Sequence, residues 1–220
     1  MVARRTDALP TVDGSRRIGG AIDPVALQPG DLMACWSGDA IGRAITLGTM
    51  QPWAPRGLRL GPSHVAIVCR HRGQPLWVES TTLCDTPCAI TGRPMVGVQT
   101  HLPEDRLPSY AAGRVVRYRL TPINRLSDAE SSLLTHILLH HFLGRASPYD
   151  LSGAVLSGLR CGRIVRAVLG ADLGEVFCSE LAAAVLMRLG RLNRADPAGY
   201  SPARLLRRLV RTGVYAPVAG

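Results

Sequence analysis

The sequence predicts a single α+β domain in which a small, mainly antiparallel sheet packs against a helical half. Short apolar runs rich in valine and isoleucine alternate with turn-forming residues between residues 32 and 120, as in strands joined by hairpins. After residue 127 the apolar residues follow helical spacing instead. A chain of 220 residues with 46% hydrophobic residues has the length and the apolar content for one domain core.

Five apolar runs predict the strands of the sheet. The clearest is residues 64–70, a continuous run rich in valine and isoleucine that is typical of a buried strand. A break with glycine and proline at residues 71–75 predicts a turn, so the run after it is the hairpin partner. The predicted strands are residues 32–36, 64–70, 76–80, 96–102 and 114–120, with a helix at 37–48 and a loop at 51–62 between the first two.

Capping signals predict four helices in the second half. Ser127 and Glu130 form a capping box, which starts a helix that runs to about residue 143 and ends at Gly144. Ser201 and Pro202 start the last helix, and Gly213 ends it. The other two helices are predicted at residues 151–169 and from about residue 177 to residue 190.

The charge of the chain is strongly positive. The net charge is +10, carried by arginine, and residues 1–26 are predicted to form a basic N-terminal arm ahead of a single domain at 27–220. Arginines also line the last helix, at Arg204, Arg207, Arg208 and Arg211, beside leucines. Such charge suits an anionic polymer or a membrane surface, but a GC-rich genome explains it equally well. We do not expect a nucleic-acid partner.

Segments for export or membrane insertion are absent from the sequence pattern. The N-terminal residues contain no apolar core of a signal peptide, and no stretch approaches 18 apolar residues. The six cysteines are scattered, so thiols are expected rather than a disulfide framework. The expected location is therefore the cytoplasm, with a virus particle or a non-standard export route as the alternatives.

Cys178 and His64 are the residues most suggestive of chemistry. Cys178 begins an apolar stretch of helical spacing, and His64 begins a predicted strand. The thiolate is the reactive form of cysteine, and both a helix N-terminus and an imidazolium stabilise it. Taken alone, a cysteine at the head of such a helix is more often a small buried side chain. The pairing of the two residues therefore needs support from other motifs.

That support is a resemblance to the NlpC-type papain-like cell-wall amidases. The runs GRASPYD at residues 144–150 and FCSEL at 177–181 resemble the cysteine-helix region of those enzymes. The runs QPGDL at 28–32 and SHVAIV at 63–68 resemble strands that normally follow that helix, but here they precede it. The order resembles the circularly permuted, YiiX-like branch of the superfamily, which runs His, Glu, Cys. The resemblance covers roughly residues 27–190 and implies a permuted papain-like fold.

The resemblance implies a role for each site residue. Cys178 is the nucleophile, His64 the base, and Glu79 on the adjacent strand holds the imidazole in its tautomer. The backbone N–H of Cys178 at the helix start is an expected oxyanion donor. Tyr149 is a weaker candidate for a second donor or for a substrate contact. No cofactor and no catalytic metal are implied.

The implied function is hydrolysis of an amide through an acyl-enzyme, with peptidoglycan stem peptides as the favoured substrate. A second possibility keeps the three residues but makes the protein an acyltransferase or thioesterase acting on lipids. A third is a non-enzymatic member, such as a binding or structural component of a phage particle or secretion apparatus. The presence of Cys178, His64 and Glu79 together argues against the third possibility.

Two other clusters are weaker. Cys84 and Cys88, with His71 and His101 nearby, have looser spacing than a zinc knuckle, and the sequence does not predict a metal site there. His136 and His140 share a helix face beside leucines, a pattern more typical of a helix boundary than of metal ligands.

Overall fold

The computed structural model describes residues 22–81, 84–110, 113–143, 174–193 and 195–218. Most of the predicted basic arm, the predicted helix at 151–169 and Tyr149 lie outside these residues. Within them the α+β class is confirmed, with one antiparallel sheet and five α-helices.

The sheet has six strands, in the order β4-β3-β2-β1-β5-β6, and every pairing in it is antiparallel. All five predicted strands are present within one or two residues of their expected ends. The three-residue strand β6, at the edge beside β5, was not predicted because its run is too short to show a period. The strands are β1 Leu32–Trp36, β2 His64–His71, β3 Gln74–Thr81, β4 Gly97–His101, β5 Arg114–Leu120 and β6 Tyr215–Pro217.

The β2–β3 hairpin sets the register that the site depends on. Its two turn residues, Arg72 and Gly73, both have positive φ angles, 50° and 83°. A two-residue turn in which both residues have positive φ angles matches the right-handed twist of the two strands that it joins. In the resulting register Val78 pairs with Ile67, so these two side chains lie on one face of the sheet. Side chains alternate between the two faces along a strand. Glu79, one residue after Val78, and His64, three residues before Ile67, therefore both lie on the opposite face.

Five α-helices pack around the sheet, and most of their caps follow the sequence signals. Ser127 caps α3 with the predicted capping box, and a π-helical segment, Ile137–Phe142, continues it. Ser201 caps α5, and Gly213 follows that helix with a φ of 71°. The first helix begins three residues later than predicted because the side chain of Asp39 caps it. The helices are α1 Ala40–Gly48, α2 Pro103–Arg106, α3 Asp128–His136, α4 Gly174–Arg188 and α5 Pro202–Arg211.

Each face of the sheet carries its own core. The larger core packs leucines of α3, α4 and α5 against side chains such as Ile67 and Val78. The smaller core lies on the other face around Trp77, with Leu107 and Tyr110 from a 3₁₀ segment packed on it. His64 and Glu79 point to this second face. The imidazole and the carboxylate therefore lie beneath the short α2 and 3₁₀ segment, whereas Cys178 is on α4 and belongs to the larger core.

The basic helix α5 is a structural element. Its leucines at 205, 206 and 209 are fully buried. The guanidinium of Arg207 donates hydrogen bonds to the carbonyls of Thr49, Leu58 and Arg59, so that it holds the loop that precedes β2. None of the helices in the described ranges is both long and apolar enough to span a membrane.

Candidate active site

The carboxylate of Glu79 is the centre of a buried polar cluster. Its Oε2 accepts hydrogen bonds from His64 Nε2 at 2.8 Å and from Trp77 Nε1 at 2.8 Å. Its Oε1 accepts a hydrogen bond from Arg106 Nε at 2.6 Å. Glu79 is fully buried, and a buried carboxylate is stable as an anion only when it is paired and hydrogen-bonded in this way.

The contacts of Glu79 lower its pKa by more than its burial raises it. Burial raises its pKa, but the hydrogen bond from His64, the positive charges of His64 and Arg106, and the hydrogen bond from Trp77 lower it to about 2. The group is therefore an anion throughout the neutral range. A permanent anion on Nε2 is what keeps an imidazole in one orientation and stabilises its charged form.

His64 joins this carboxylate to Cys178. Since Nε2 faces Glu79, Nδ1 is the ring nitrogen that remains for the Cys178 sulfur. Burial lowers the pKa of His64, but the charge of Cys178, its hydrogen bond with His64, and the contact with Glu79 raise it to about 10. The structure thus brings together the three residues predicted from the sequence, with His64 in the middle and held as an imidazolium.

Two residues of the cluster were not predicted from the sequence. Arg106 lies on α2 and Tyr110 at the end of the 3₁₀ segment that follows it. The Tyr110 ring stacks on His64, with centroids 6.2 Å apart, and on Trp77, with centroids 5.9 Å apart. The Arg106 guanidinium lies 5.1 Å above the Tyr110 ring. Together they cover His64 and one side of Glu79.

A local signal for this cover does exist in the sequence. Pro103 follows Leu102 and precedes two acidic residues, a pattern typical of the first turn of a helix. A four-residue helix buries too little of a periodic face to be recognised by spacing. The salt bridge from Arg106 to Glu79 joins residues 27 positions apart, which no local pattern indicates.

The position of Cys178 within its helix differs from the prediction. Helix α4 begins at Gly174 rather than near residue 177, so Cys178 lies in the second turn. The first four N–H groups of a helix are the ones without intrahelical partners, and the dipole effect falls off within the first turn. The N–H of Cys178 thus lies further inside the helix than expected, and its role as an oxyanion donor stays a prediction. The side chain of Cys178 makes a hydrogen bond with His64.

A second buried thiol, Cys35, lies beside the cluster. It pairs with His64 across β1 and β2 and is fully buried. Burial raises its pKa well above the ordinary value, and the negative charge of Glu79 raises it further. Cys35 is thus a neutral thiol at physiological pH, although it is close to the same histidine. The thiol that makes a direct hydrogen bond with His64 is Cys178.

The other cysteines and histidines considered from the sequence fall into separate contacts. Cys84 approaches His101, with Sγ and Nε2 3.7 Å apart, whereas Cys88 contacts the hydroxyl of Thr100 instead. His71 is at the far end of β2 from His64 and takes no part in either contact. His136 and His140 make a ring contact with centroids 4.9 Å apart.

Comparison with known proteins adds a weak structural likeness. No protein-family model and no curated protein match the sequence. Among solved structures the chain is similar to the crystal structure of the metalloprotein yiiX from Escherichia coli O157:H7, a DUF1105 protein. The identity is 17%, the match covers 87% of this chain and 96% of that chain, and the TM-score is 0.47. This likeness does not show the papain-like superfamily.

Proposed function

We propose that this chain has a permuted papain-like fold and acts as a cysteine hydrolase that cleaves an amide bond. The observation that supports this most is the chain of contacts from Arg106 through Glu79 and His64 to Cys178. A base between a nucleophile and an orienting carboxylate is the arrangement that nucleophilic catalysis requires. A buried structural ion pair requires no thiol on the other ring nitrogen.

The proposed reaction has two steps. The Cys178 sulfur attacks the amide carbonyl, the C–N bond breaks, and His64 gives its proton to the departing amine. Water then attacks the resulting thioester while His64 takes its proton, and the carboxylic acid leaves with the Cys178 sulfur restored as a thiolate beside the His64 imidazolium. Glu79 stays ionised and stabilises the imidazolium in both steps.

Peptidoglycan stem peptides are the proposed substrate class, because the sequence motifs resemble those of cell-wall amidases. The net charge of +10 is compatible with an anionic wall polymer. This substrate implies contact with the wall through a virus particle, a specialised export route or lysis.

A second candidate is transfer or hydrolysis of an acyl group from a lipid. The segment between β1 and β2 exposes large apolar side chains at Leu47, Met50 and Trp53, and Trp53 is 91% exposed. Both ends of this segment lie at the site, since Cys35 pairs with His64. Residues 40–62 contain no acidic residue and three exposed arginines, at Arg43, Arg56 and Arg59. Apolar tips among cations suit a lipid surface.

Capture of the acyl-enzyme distinguishes the candidates. The purified protein is mixed briefly with a disaccharide-peptide fragment of peptidoglycan or with a long-chain acyl thioester, quenched in acid, and measured by intact mass. The account predicts that the peptidoglycan fragment transfers an acyl group to the protein, and that the added mass is found on the part of the chain that contains Cys178. An adduct with the acyl thioester alone establishes the lipid candidate and overturns the amidase.

Matched variants make the result specific. Cys178→Ala abolishes the adduct and turnover, while Cys69→Ala, at a buried thiol farther along the same strand as His64, leaves both intact. The contrary result is that neither substrate modifies the protein and that the Cys178 thiol is no more reactive than the other thiols. That result contradicts the enzyme proposal and favours a binding or structural role.

A further inference from the structure

A second group of side chains lies beside Oε1 of Glu79, the carboxylate oxygen opposite the one that contacts His64. Glu79, Cys84 and His101 each offer one ligand atom, and the three atoms lie within 4.8 Å of one another. His101 Nε2 is 3.7 Å from Cys84 Sγ and 3.6 Å from Glu79 Oε1. The chain places these residues together because His101 on β4 pairs with Trp77 on β3, which puts His101 and Glu79 on the same face.

We propose that Glu79 Oε1, Cys84 Sγ and His101 Nε2 form a binding site for a divalent transition metal ion, with Zn²⁺ as the best match. Ligands that bind a tetrahedral Zn²⁺ at about 2.0–2.3 Å are separated from each other by roughly 3.3–3.8 Å. The two distances to His101 Nε2 already lie in that range. A set of one thiolate, one imidazole and one carboxylate suits Zn²⁺ better than the oxygen-seeking Mg²⁺ or Ca²⁺.

The surroundings of the three atoms match those of metal ligands. Ligating carboxylates are themselves held by hydrogen bonds, and Glu79 is held by Arg106 on Oε1 and by His64 and Trp77 on Oε2. His101 is 1% exposed, and its Nδ1 is a buried atom without a hydrogen-bond partner. A metal ion on Nε2 would bind the edge of the ring that already faces Cys84 and Glu79.

The site also has a route for entry. Cys84 is partly exposed, whereas Glu79 and His101 are buried, so an ion reaches the cluster from the Cys84 side. Three protein ligands leave the fourth position for water, as in an open zinc site. The ligand set differs from the Cys84 and Cys88 pair considered from spacing alone, because the Cys88 sulfur contacts Thr100.

Cobalt binding tests this proposal without any reference to catalysis. The full chain carrying Cys178→Ala is reduced, stripped of metal and titrated with Co²⁺, and the thiolate-to-cobalt charge-transfer absorption is recorded. The Cys178→Ala change removes the other candidate thiolate and leaves the three ligands intact. We expect saturable absorption at one ion per chain, and its loss on addition of Zn²⁺.

Two further substitutions locate the ion. Cys88→Ser, at a neighbouring thiol outside the proposed ligand set, keeps the absorption, whereas Cys84→Ser abolishes it. His101→Gln weakens binding at least about tenfold, which corresponds to the loss of about 1.4 kcal/mol. Absorption that survives Cys84→Ser, or that requires Cys178, overturns the proposal.

A measurement on the unsubstituted chain guards against a variant that fails to fold. Zn²⁺ is added in slight excess, and alkylation of each cysteine is followed by peptide mass. The proposal predicts that Zn²⁺ protects Cys84 from alkylation. Unchanged labelling of Cys84 contradicts it. Neither assay depends on whether Cys178 is a nucleophile, so the metal site and the proposed function fail or succeed separately.

Discussion

The substitution Glu79→Gln tests how strongly the buried cluster depends on one negative charge. The pKa of Glu79 falls from the ordinary value of 4.5 to about 2 in the folded protein. At about 1.4 kcal/mol for each unit of pKa, the ionised carboxylate stabilises the fold on the order of 3 kcal/mol. This contribution is complete above pH 4.5, where the unfolded carboxyl is also ionised, and is lost as the pH falls toward 2. Glutamine keeps the shape but not the charge.

Urea unfolding at several pH values measures this effect. The measurements are made in buffer with EDTA. At pH 6, the free energy of unfolding of Glu79→Gln is predicted to be lower than that of the unsubstituted protein by an amount on the order of 3 kcal/mol. The difference should shrink between pH 4.5 and pH 2.5. The matched control, Glu104→Gln, changes an exposed carboxylate on the helix that carries Arg106, and should shift stability by less than about 0.5 kcal/mol. A deficit under about 1 kcal/mol, or one that is equal at pH 6 and pH 3, refutes the reasoning.

Three other predictions concern the cover of the site and one helix cap. Arg106→Ala leaves the buried Glu79 without one of its cations and should lower the free energy of unfolding by about 3–5 kcal/mol, measured by urea unfolding; a loss under about 1 kcal/mol contradicts the role given to it. Tyr110→Ala removes two ring contacts and should lower stability by at least about 1 kcal/mol, whereas Tyr110→Phe keeps both rings stacked and should change it less; equal effects of the two changes contradict stacking as the cause. Ser201→Ala removes the cap of α5 and should cost about 1 kcal/mol by thermal unfolding; an unchanged melting temperature shows that the cap is dispensable.

The elements that were predicted from the sequence are those with local causes. The β2–β3 hairpin follows from Gly73 and its flanking apolar runs, and its register places Glu79 on the same face as His64. The capping box at Ser127 and the cap at Ser201 identify two helix starts for the same reason. Such features depend on a few neighbouring residues, so a sequence reveals them.

The features that were missed depend on distant parts of the chain. Arg106 becomes important only when α2 folds over β3 and meets Glu79. The start of α4 was placed near residue 177 because the apolar residues begin there, but the helix begins at Gly174. The grouping of Glu79 with Cys84 and His101 likewise requires the pairing of β3 with β4, which no spacing between these residues predicts.

The pH dependence of alkylation at Cys178 tests the central claim most directly. A small electrophile such as iodoacetamide suits a thiol that is 1% exposed, and restricted access scales the rate without changing how it varies with pH. In buffer with EDTA at pH 6, Cys178 is predicted to be alkylated, because the hydrogen bond with the His64 imidazolium favours the reactive form of its sulfur. His64→Ala should lower this rate at least about tenfold, which corresponds to the loss of about 1.4 kcal/mol of stabilisation. A Cys178 whose rate rises with pH like that of an ordinary thiol, unchanged by His64→Ala, contradicts the account.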